Sequence, residues 1–212
     1  FTKDVLAEFA QASEIVVFPL YPHHSITTVT SSLNDFNKAC RELNLQAKIK
    51  IVEPFFADDR YNEIIADCIE KSARNLNTDD ITLIFSAHSL PQKIIDAGDI
   101  YEEHVKRHVQ ILTEILEKRG VKFKQTMLAY QSRLGPVKWL EPSLNQVLAE
   151  LKDKKALIYP ISFCIDNSET VFELSKEFRH IASELNFDFY DVVGCPNDSE
   201  KFAKFIADKA KE

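Results

Sequence analysis

Glycine is scarce in this chain. Only 4 of 212 residues are Gly (Gly98, Gly120, Gly135 and Gly194), where roughly 7% is usual. No two of them are spaced for a G-x-G-x-x-G dinucleotide turn, a phosphate loop ending in G-K-S/T, or a G-x-S-x-G nucleophile elbow. A nucleotide cradled on a glycine-rich turn is therefore not expected. Cysteine is sparse too. Cys40, Cys68, Cys164 and Cys195 form no C-x-x-C pair, which argues against a zinc ribbon. They read as reduced thiols of an intracellular protein, and the expected location is cytoplasmic. Long apolar runs are missing. Ile15–Leu33 lacks Asp, Glu, Lys and Arg, but Pro19, Pro22, two histidines and many Ser/Thr interrupt it, and a bilayer span needs about 20 mostly apolar residues. No secretory signal is visible. A basic stripe is also absent. The net charge is −7, which argues against nucleic acid as a partner. The chain opens on Phe1 and not Met, already in helix-like sequence, and reads as N-terminally incomplete.

What is present is a chain of 45% hydrophobic and 28% charged residues, enough for sizeable cores. Thr2–Gln11 reads as the end of an amphipathic helix. Glu14–Leu20 is a short apolar strand, and Tyr21–Thr30 a loop. Ser31–Leu43 and Tyr61–Leu76 are helical, with Ala47–Val52 a strand between them. A regular alternation follows. Strands are predicted over Ile81–Ser86, Phe123–Ala129, Ala156–Ile161 and Phe187–Val193. Helices are predicted over Tyr101–Arg119, Ser143–Lys152, Glu169–Leu185 and Ser199–Lys209. This pattern predicts an α/β fold with parallel sheets flanked by helices. Asn75–Asp80 is the most linker-like stretch. It predicts an N-terminal α/β portion over 1–78 and a C-terminal α/β unit over 79–212.

In open α/β sheets ligands bind beyond the carboxyl ends of strands, so strand ends direct the search. His88 follows the strand ending at Ser86. It reads either as a local hydrogen-bonding residue or as a proton acceptor or metal ligand. Glu169 opens a helix just past the strand ending at Ile161. The helix dipole alone would favour a carboxylate there, by about 0.3–1 kcal/mol. Glu173 and Glu177 continue the row at spacings of four, where like charges repel. The row is a solvated face or a cation path, and oxygen ligands suit hard divalent ions. His104 and His108 are also four apart, but Val105, Val109 and Leu112 define the apolar stripe beside them. They read as surface histidines. Of His23 and His24, adjacent in an extended stretch, only one is expected to face a ligand. Trp139, on a strand-end loop, reads as core packing or as a flat wall for a planar ligand. A serine hydrolase is disfavoured because neither Ser86 nor Ser89 has the elbow.

Several motifs together point further. Phe85-Ser86-Ala87-His88-Ser89-Leu90-Pro91 resembles the FSAHSLP signature of ferrochelatases. Leu20-Tyr21-Pro22 through Ser31-Ser32-Leu33-Asn34 resembles their LYPQYS…SSLN stretch. Tyr130-Gln131-Ser132-Arg133-Leu134-Gly135-Pro136 with Trp139-Leu140 resembles QSRVGPxPWL. Asp166-Asn167-Ser168-Glu169-Thr170 resembles DHIET, and Cys195-Pro196-Asn197-Asp198-Ser199 resembles CLNDS. The motifs stand in family order across nearly the whole chain.

The resemblance implies two Rossmann-like, chelatase-type units, the first incomplete, with a porphyrin cleft between them. It implies insertion of ferrous iron into protoporphyrin IX to form protohaem. Iron is then a substrate, and no permanently bound cofactor is expected. It implies His88 and Glu169 as the residues sharing proton abstraction and metal delivery, a base on one face of the macrocycle and a metal donor on the other. Glu173 and Glu177 extend the metal-binding set. Tyr21, Ser86, Trp139 and Asn167 are the substrate-contacting candidates. Poor solubility of porphyrin and haem makes loose membrane association compatible with this reading. A non-catalytic tetrapyrrole or metal carrier on the same fold, and a chelatase for another divalent metal, are the alternatives. The chain departs from the family pattern in places. Asn167 stands where His is usual, His23 and His24 replace Gln and Tyr, and Leu144, Asn145 and Gln146 replace Thr, Asp and Glu.

Overall fold

The computed structural model describes residues 2–212. The chain begins with helix α1 (Thr2–Glu8) and strand β1 (Glu14–Val17), then helix α2 (Ser31–Glu42) and strand β2 (Lys48–Ile51). Strands β1 and β2 pair in parallel, Glu14 opposite Lys48 through Val17 opposite Ile51. Leu6, Phe36 and Ala39 pack over Ile15, Val17 and Ile49. Helix α3 (Asp59–Ala73) follows, opened by the Asp58 side chain accepting from the Arg60 amide, a standard way to satisfy a first-turn donor.

The second part alternates strictly. Strand β3 (Thr82–His88) leads through α4 (Gln92–Asp96) and α5 (Tyr101–Lys118) to β4 (Gln125–Gln131). Helix α6 (Leu144–Glu150) leads to β5 (Lys155–Pro160). A π-helical segment (Ser168–Glu177) runs into α7 (Phe178–Glu184), then β6 (Phe189–Val192) and α8 (Glu200–Lys211). The parallel sheet has the order β4-β3-β5-β6. Gly120, at φ 77°, closes α5. There the Val121 amide reaches back to the Leu116 carbonyl, and only glycine takes that left-handed conformation cheaply.

Alternate side chains of the central strands go to opposite faces, as the strand period requires. Leu83, Phe85, Ala87, Leu157 and Tyr159 join a core shared with residues of α3, α5 and α8. Ile84, Ala156 and Ile158 join one shared with α6, the π-helical segment and α7. Both faces are covered, which is why these strands are apolar throughout. Each fully buried Leu, Ile or Phe contributes about 1.5–3 kcal/mol. The two sheets fall on either side of the 75–80 stretch, where Thr78–Asp80 forms one 3-10 turn. The cores do not divide there, because Tyr61, Ile65 and Ile69 of α3 pack with Val105 and Leu112 of α5 and Phe202 and Phe205 of α8.

Element positions mostly follow the sequence, with informative differences. Strand β3 extends to His88 because its ladder with β4 continues to the pair His88–Gln131. The site histidine is therefore the last residue of a strand and not part of a loop. The helix expected over Glu169–Leu185 begins as a π-helix, a geometry common at functional sites. No described helix is long and apolar enough to cross a membrane, and the four cysteines are unpaired.

Candidate functional site

The topology switches direction at β3, since β4 lies on one side of it and β5 on the other. Ligand sites of open α/β sheets lie at such points, beyond the strand ends. Three polar ends converge here. They are His88 ending β3, Gln131 ending β4 with Ser132 just past it, and Ser162 after β5.

Hydrogen bonds fix the backbone of His88. Its amide donates to Ser162 Oγ at 3.1 Å. The Tyr101 hydroxyl, at the start of α5, donates to the His88 carbonyl at 2.9 Å. Tyr101 Oη and Ser162 Oγ are 2.6 Å apart. Tyr101 has one hydroxyl hydrogen and spends it on the carbonyl, so Ser162 donates to Tyr101. The three bonds close a ring that ties β3, β5 and α5 together at His88.

The His88 side chain meets Glu169. Nδ1 lies 2.6 Å from Oε2, with the two side chains 38% and 32% exposed. The pair is open to a ligand but not fully solvated. Burial pushes the Glu169 carboxyl up, but its hydrogen bond and charge interaction with His88 and the hydrogen bond from Ser132 outweigh this and hold it below its ordinary value. Glu169 is thus a carboxylate, and Nδ1–H of His88 donates to it. In the neutral imidazole, Nε2 is left as an acceptor.

A second layer holds Glu169. Asn167 caps the π-helical segment, its side chain accepting from the Glu169 amide at 2.8 Å, and it forms a capping box with Thr170. Ser132 Oγ lies 2.8 Å from Glu169 Oε2 and 2.5 Å from Glu173 Oε2. The Ser132 amide also donates to Glu173 Oε1 at 2.7 Å. Ser132 takes φ 62° to make these contacts, an uncommon conformation for a residue with a Cβ. Gln131, 1% exposed, donates to Glu173 at 3.2 Å and accepts from Ser86 Oγ at 2.6 Å.

Beside the dyad lies a cavity of about 240 Å³, lined by the loop residues Tyr21, His23 and Ser25 together with His88, Tyr101 and Glu169. Asp99, buried under that loop, accepts from Ser25 Oγ at 2.8 Å and the Ile26 amide at 2.7 Å.

The sequence-predicted residues divide accordingly. His88, Glu169 and Tyr21 stand at the cavity, and Glu173 joins the first two through Ser132. Others do not reach it. Ser86 is fully buried in the sheet and holds Gln131. Asn167 is a helix cap. Trp139 is half-buried and bridges to Pro91 across the loop, away from the cavity lining. Glu177 is exposed one turn further along. Among the described residues, no three His, Cys, Asp or Glu side chains are gathered as a ready metal cluster. His88 and Glu169 touch each other in the wall of the same cavity. The histidine assignments also change. His108 is fully buried in the core and not on the surface, because His23 arrives from 85 residues away to bond it at 2.9 Å. Of the adjacent pair, His23 lines the cavity and His24 does not. Gln131, Ser132, Tyr101 and Ser162 were not singled out from sequence. Gln131 and Ser132 lie inside the QSR motif, and the signal of Tyr101 and Ser162 is position, a polar residue opening a helix or just past an apolar strand.

Comparison with known proteins bears on the family and the fold. The family model for Ferrochelatase matches residues 1–212. A protein named Ferrochelatase from Campylobacter concisus (strain 13826) is 60% identical over 211 residues, covering 100% of this chain and 67% of the relative. One of the same name from Campylobacter fetus subsp. fetus is 55% identical over 212 residues, covering 100% and 68%. One from Wolinella succinogenes is 47% identical over 207 residues, covering 97% and 66%. The chain thus spans about two thirds of the length of these relatives. Among solved structures, CbiX, described as the terminal enzyme for biosynthesis of siroheme in denitrifying bacteria, superposes with TM-score 0.63 at 16% identity, over 95% of this chain and 77% of its own. SirB from Bacillus subtilis with Fe3+ superposes with TM-score 0.66 at 13% identity, over 100% and 76%. These two show a shared chelatase-type fold. The sequence relatives go further, and on a match that runs from the first residue to the last this chain belongs to the ferrochelatase family.

Proposed function

We propose that this chain carries the reacting dyad of an enzyme that inserts ferrous iron into protoporphyrin IX to form protohaem. The observation that carries the reading is the 2.6 Å contact between His88 Nδ1 and Glu169 Oε2 at the cavity. Insertion must balance two pyrrole N–H protons against one incoming dication. His88 Nε2 is the free acceptor that takes the first proton, passes it to solvent at this part-exposed site, and is then free to take the second; each time Glu169 stabilises the imidazolium that results, as a carboxylate orients and supports a catalytic histidine elsewhere. Because both groups address one face, the macrocycle meets the base and the carboxylates from the same side.

Ser132 supports a role for the carboxylates in handling the metal substrate. Its hydroxyl has one hydrogen but contacts oxygens of both Glu169 and Glu173. One of the two oxygen–oxygen contacts is therefore short of a positive partner, and a divalent ion is one that oxygen ligands accept. We assign Glu169 and Glu173 to passing ferrous iron toward the macrocycle, with Glu177 at the exposed start of that path. Tyr21 contacts the porphyrin at the cavity. The unpaired cysteines accord with a cytoplasmic location, which cell fractionation tests. The functional test is anaerobic incubation of the protein with protoporphyrin IX and ferrous iron, following loss of porphyrin fluorescence. Conversion that depends on His88 and Glu169 supports the proposal, and porphyrin binding without conversion overturns it.

A further inference from the structure

The pair His104 and His108 on α5 has no part in the dyad, yet it reaches the cavity loop. His108 Nε2 is 2.8 Å from Asn62 Oδ1. The Asn62 amide nitrogen is committed to the Phe56 and Asp58 carbonyls at 2.9 and 3.0 Å. Its oxygen must therefore accept, so His108 Nε2 carries a hydrogen. His108 Nδ1 is then a lone pair, and it accepts from His23 Nε2 at 2.9 Å. One turn earlier, His104 Nδ1 accepts from the His24 backbone amide at 3.2 Å. Two acceptor nitrogens, four residues apart on one helix, thus grip two consecutive residues of the loop that walls the cavity. Both grips need a bare Nδ1. Adding a proton there turns an acceptor into a donor facing a donor.

We propose that His104 and His108 are positioning residues that clasp the cavity loop at His23 and His24 only while unprotonated, so that acid releases this part of the substrate wall. The release is local, because Asp99 still holds Ser25 and Ile26. The groups around the clasp are few. His108 faces His23, with the ring of Tyr61 of α3 tilted against it at 6.0 Å. His104 faces His24, with Phe56 at 4.4 Å and the charges of Glu103 and Asp99 nearby. Burial holds both histidines below their ordinary value, so His104, the less buried, releases first. The consequence for porphyrin binding rests on the function proposed above. The clasp itself does not.

The test is hydrogen exchange of peptides spanning 21–30 in the unliganded protein at pH 7.5 and 5.5, each corrected for the intrinsic rate. Protection is expected to fall several-fold at pH 5.5 in the wild type. It is expected to stay level in His104→Asn, whose side-chain oxygen accepts at every pH, and His104→Gln, which keeps the same acceptor, serves as the second variant should the first fail to fold. Equal protection at both pH values, or an equal loss in wild type and variants, overturns the clasp. The KM for protoporphyrin IX is then expected to rise several-fold at pH 5.5 in the wild type and less in His104→Asn. A pH-independent KM despite the lost protection would overturn the link to substrate. Absence of any turnover at pH 7.5 would overturn the functional reading and leave the exchange result to decide the clasp.

Discussion

His88 Nδ1 lies 2.6 Å from Glu169 Oε2, although the two are 81 residues apart in the chain. The contact joins the last residue of β3 to the first turn of the π-helical segment after β5. It fixes the histidine tautomer, and with it the identity of the free nitrogen. Glu169→Gln removes the charge and leaves an amide that satisfies either tautomer. Turnover is expected to fall by about 10²–10⁴-fold, the usual contribution of a positioned acid–base group. Steady-state rates against pH check this, since the acid limb set by the lowered Glu169 carboxyl should vanish with the residue.

Ser132 is the hinge between two carboxylates. Ser132→Ala removes the hydroxyl that contacts both Glu169 and Glu173, and with it one of the hydrogen bonds that hold the Glu169 carboxyl down. A lost hydrogen bond to a charged group costs about 1.5–3 kcal/mol, so turnover at neutral pH is expected to fall roughly 10–100-fold. The acid limb should move to higher pH. An unchanged profile would remove Ser132 from the site.

Asn167 acts on Glu169 through the backbone. Asn167→Ala loses the cap on the Glu169 amide and is expected to cost about 0.5–2 kcal/mol of stability. Denaturant unfolding measures this, and turnover should fall by a smaller factor than in Glu169→Gln. A larger loss of activity than in Glu169→Gln would show that Asn167 contacts substrate directly.

Burial also sets the pH dependence of stability. His108 is held down to about 3 by desolvation, and His23 is held well below its ordinary value by burial and then by His108 and His104. The unfolded chain protonates these groups near 6.5, so between about 6.5 and 3 the unfolded state binds more protons. Stability is complete above that window and is lost as pH falls through it. The loss is at most about 1.4 kcal/mol per pH unit for each histidine, or roughly 3–6 °C in melting temperature for a chain of this size. Melts between pH 7 and 5 should show this slope, and His108→Gln should flatten it.

Much of this was legible in the sequence because apolar strands and helical stripes leave local patterns. Leu83, Ile84 and Phe85 mark β3, and Val105 and Leu112 mark the buried side of α5. Strand ends and helix starts are readable positions and direct attention to His88 and Glu169, while the roles expected of them come from the resemblance. The rest depends on contacts between distant residues. His108 lies beside the apolar stripe and is buried only because His23 pairs with it. Gln131 and Ser132 gain their roles from Glu173, some 40 residues on. The π-helical geometry of Ser168–Glu177 has no periodicity that distinguishes it from an α-helix over so short a run. Trp139 and Asn167, named by resemblance, stand outside the cavity lining, one bridging to Pro91 on its loop and one capping the π-helical segment.

The central claim is that His88 accepts a pyrrole proton as iron enters. The most direct measurement is the initial rate of ferrous iron insertion into protoporphyrin IX by wild type and His88→Ala, at equal porphyrin occupancy shown by absorbance titration. The account predicts that occupancy is reached in both and that the rate in His88→Ala falls by about 10²-fold or more. An insertion rate in His88→Ala equal to that of the wild type would contradict it.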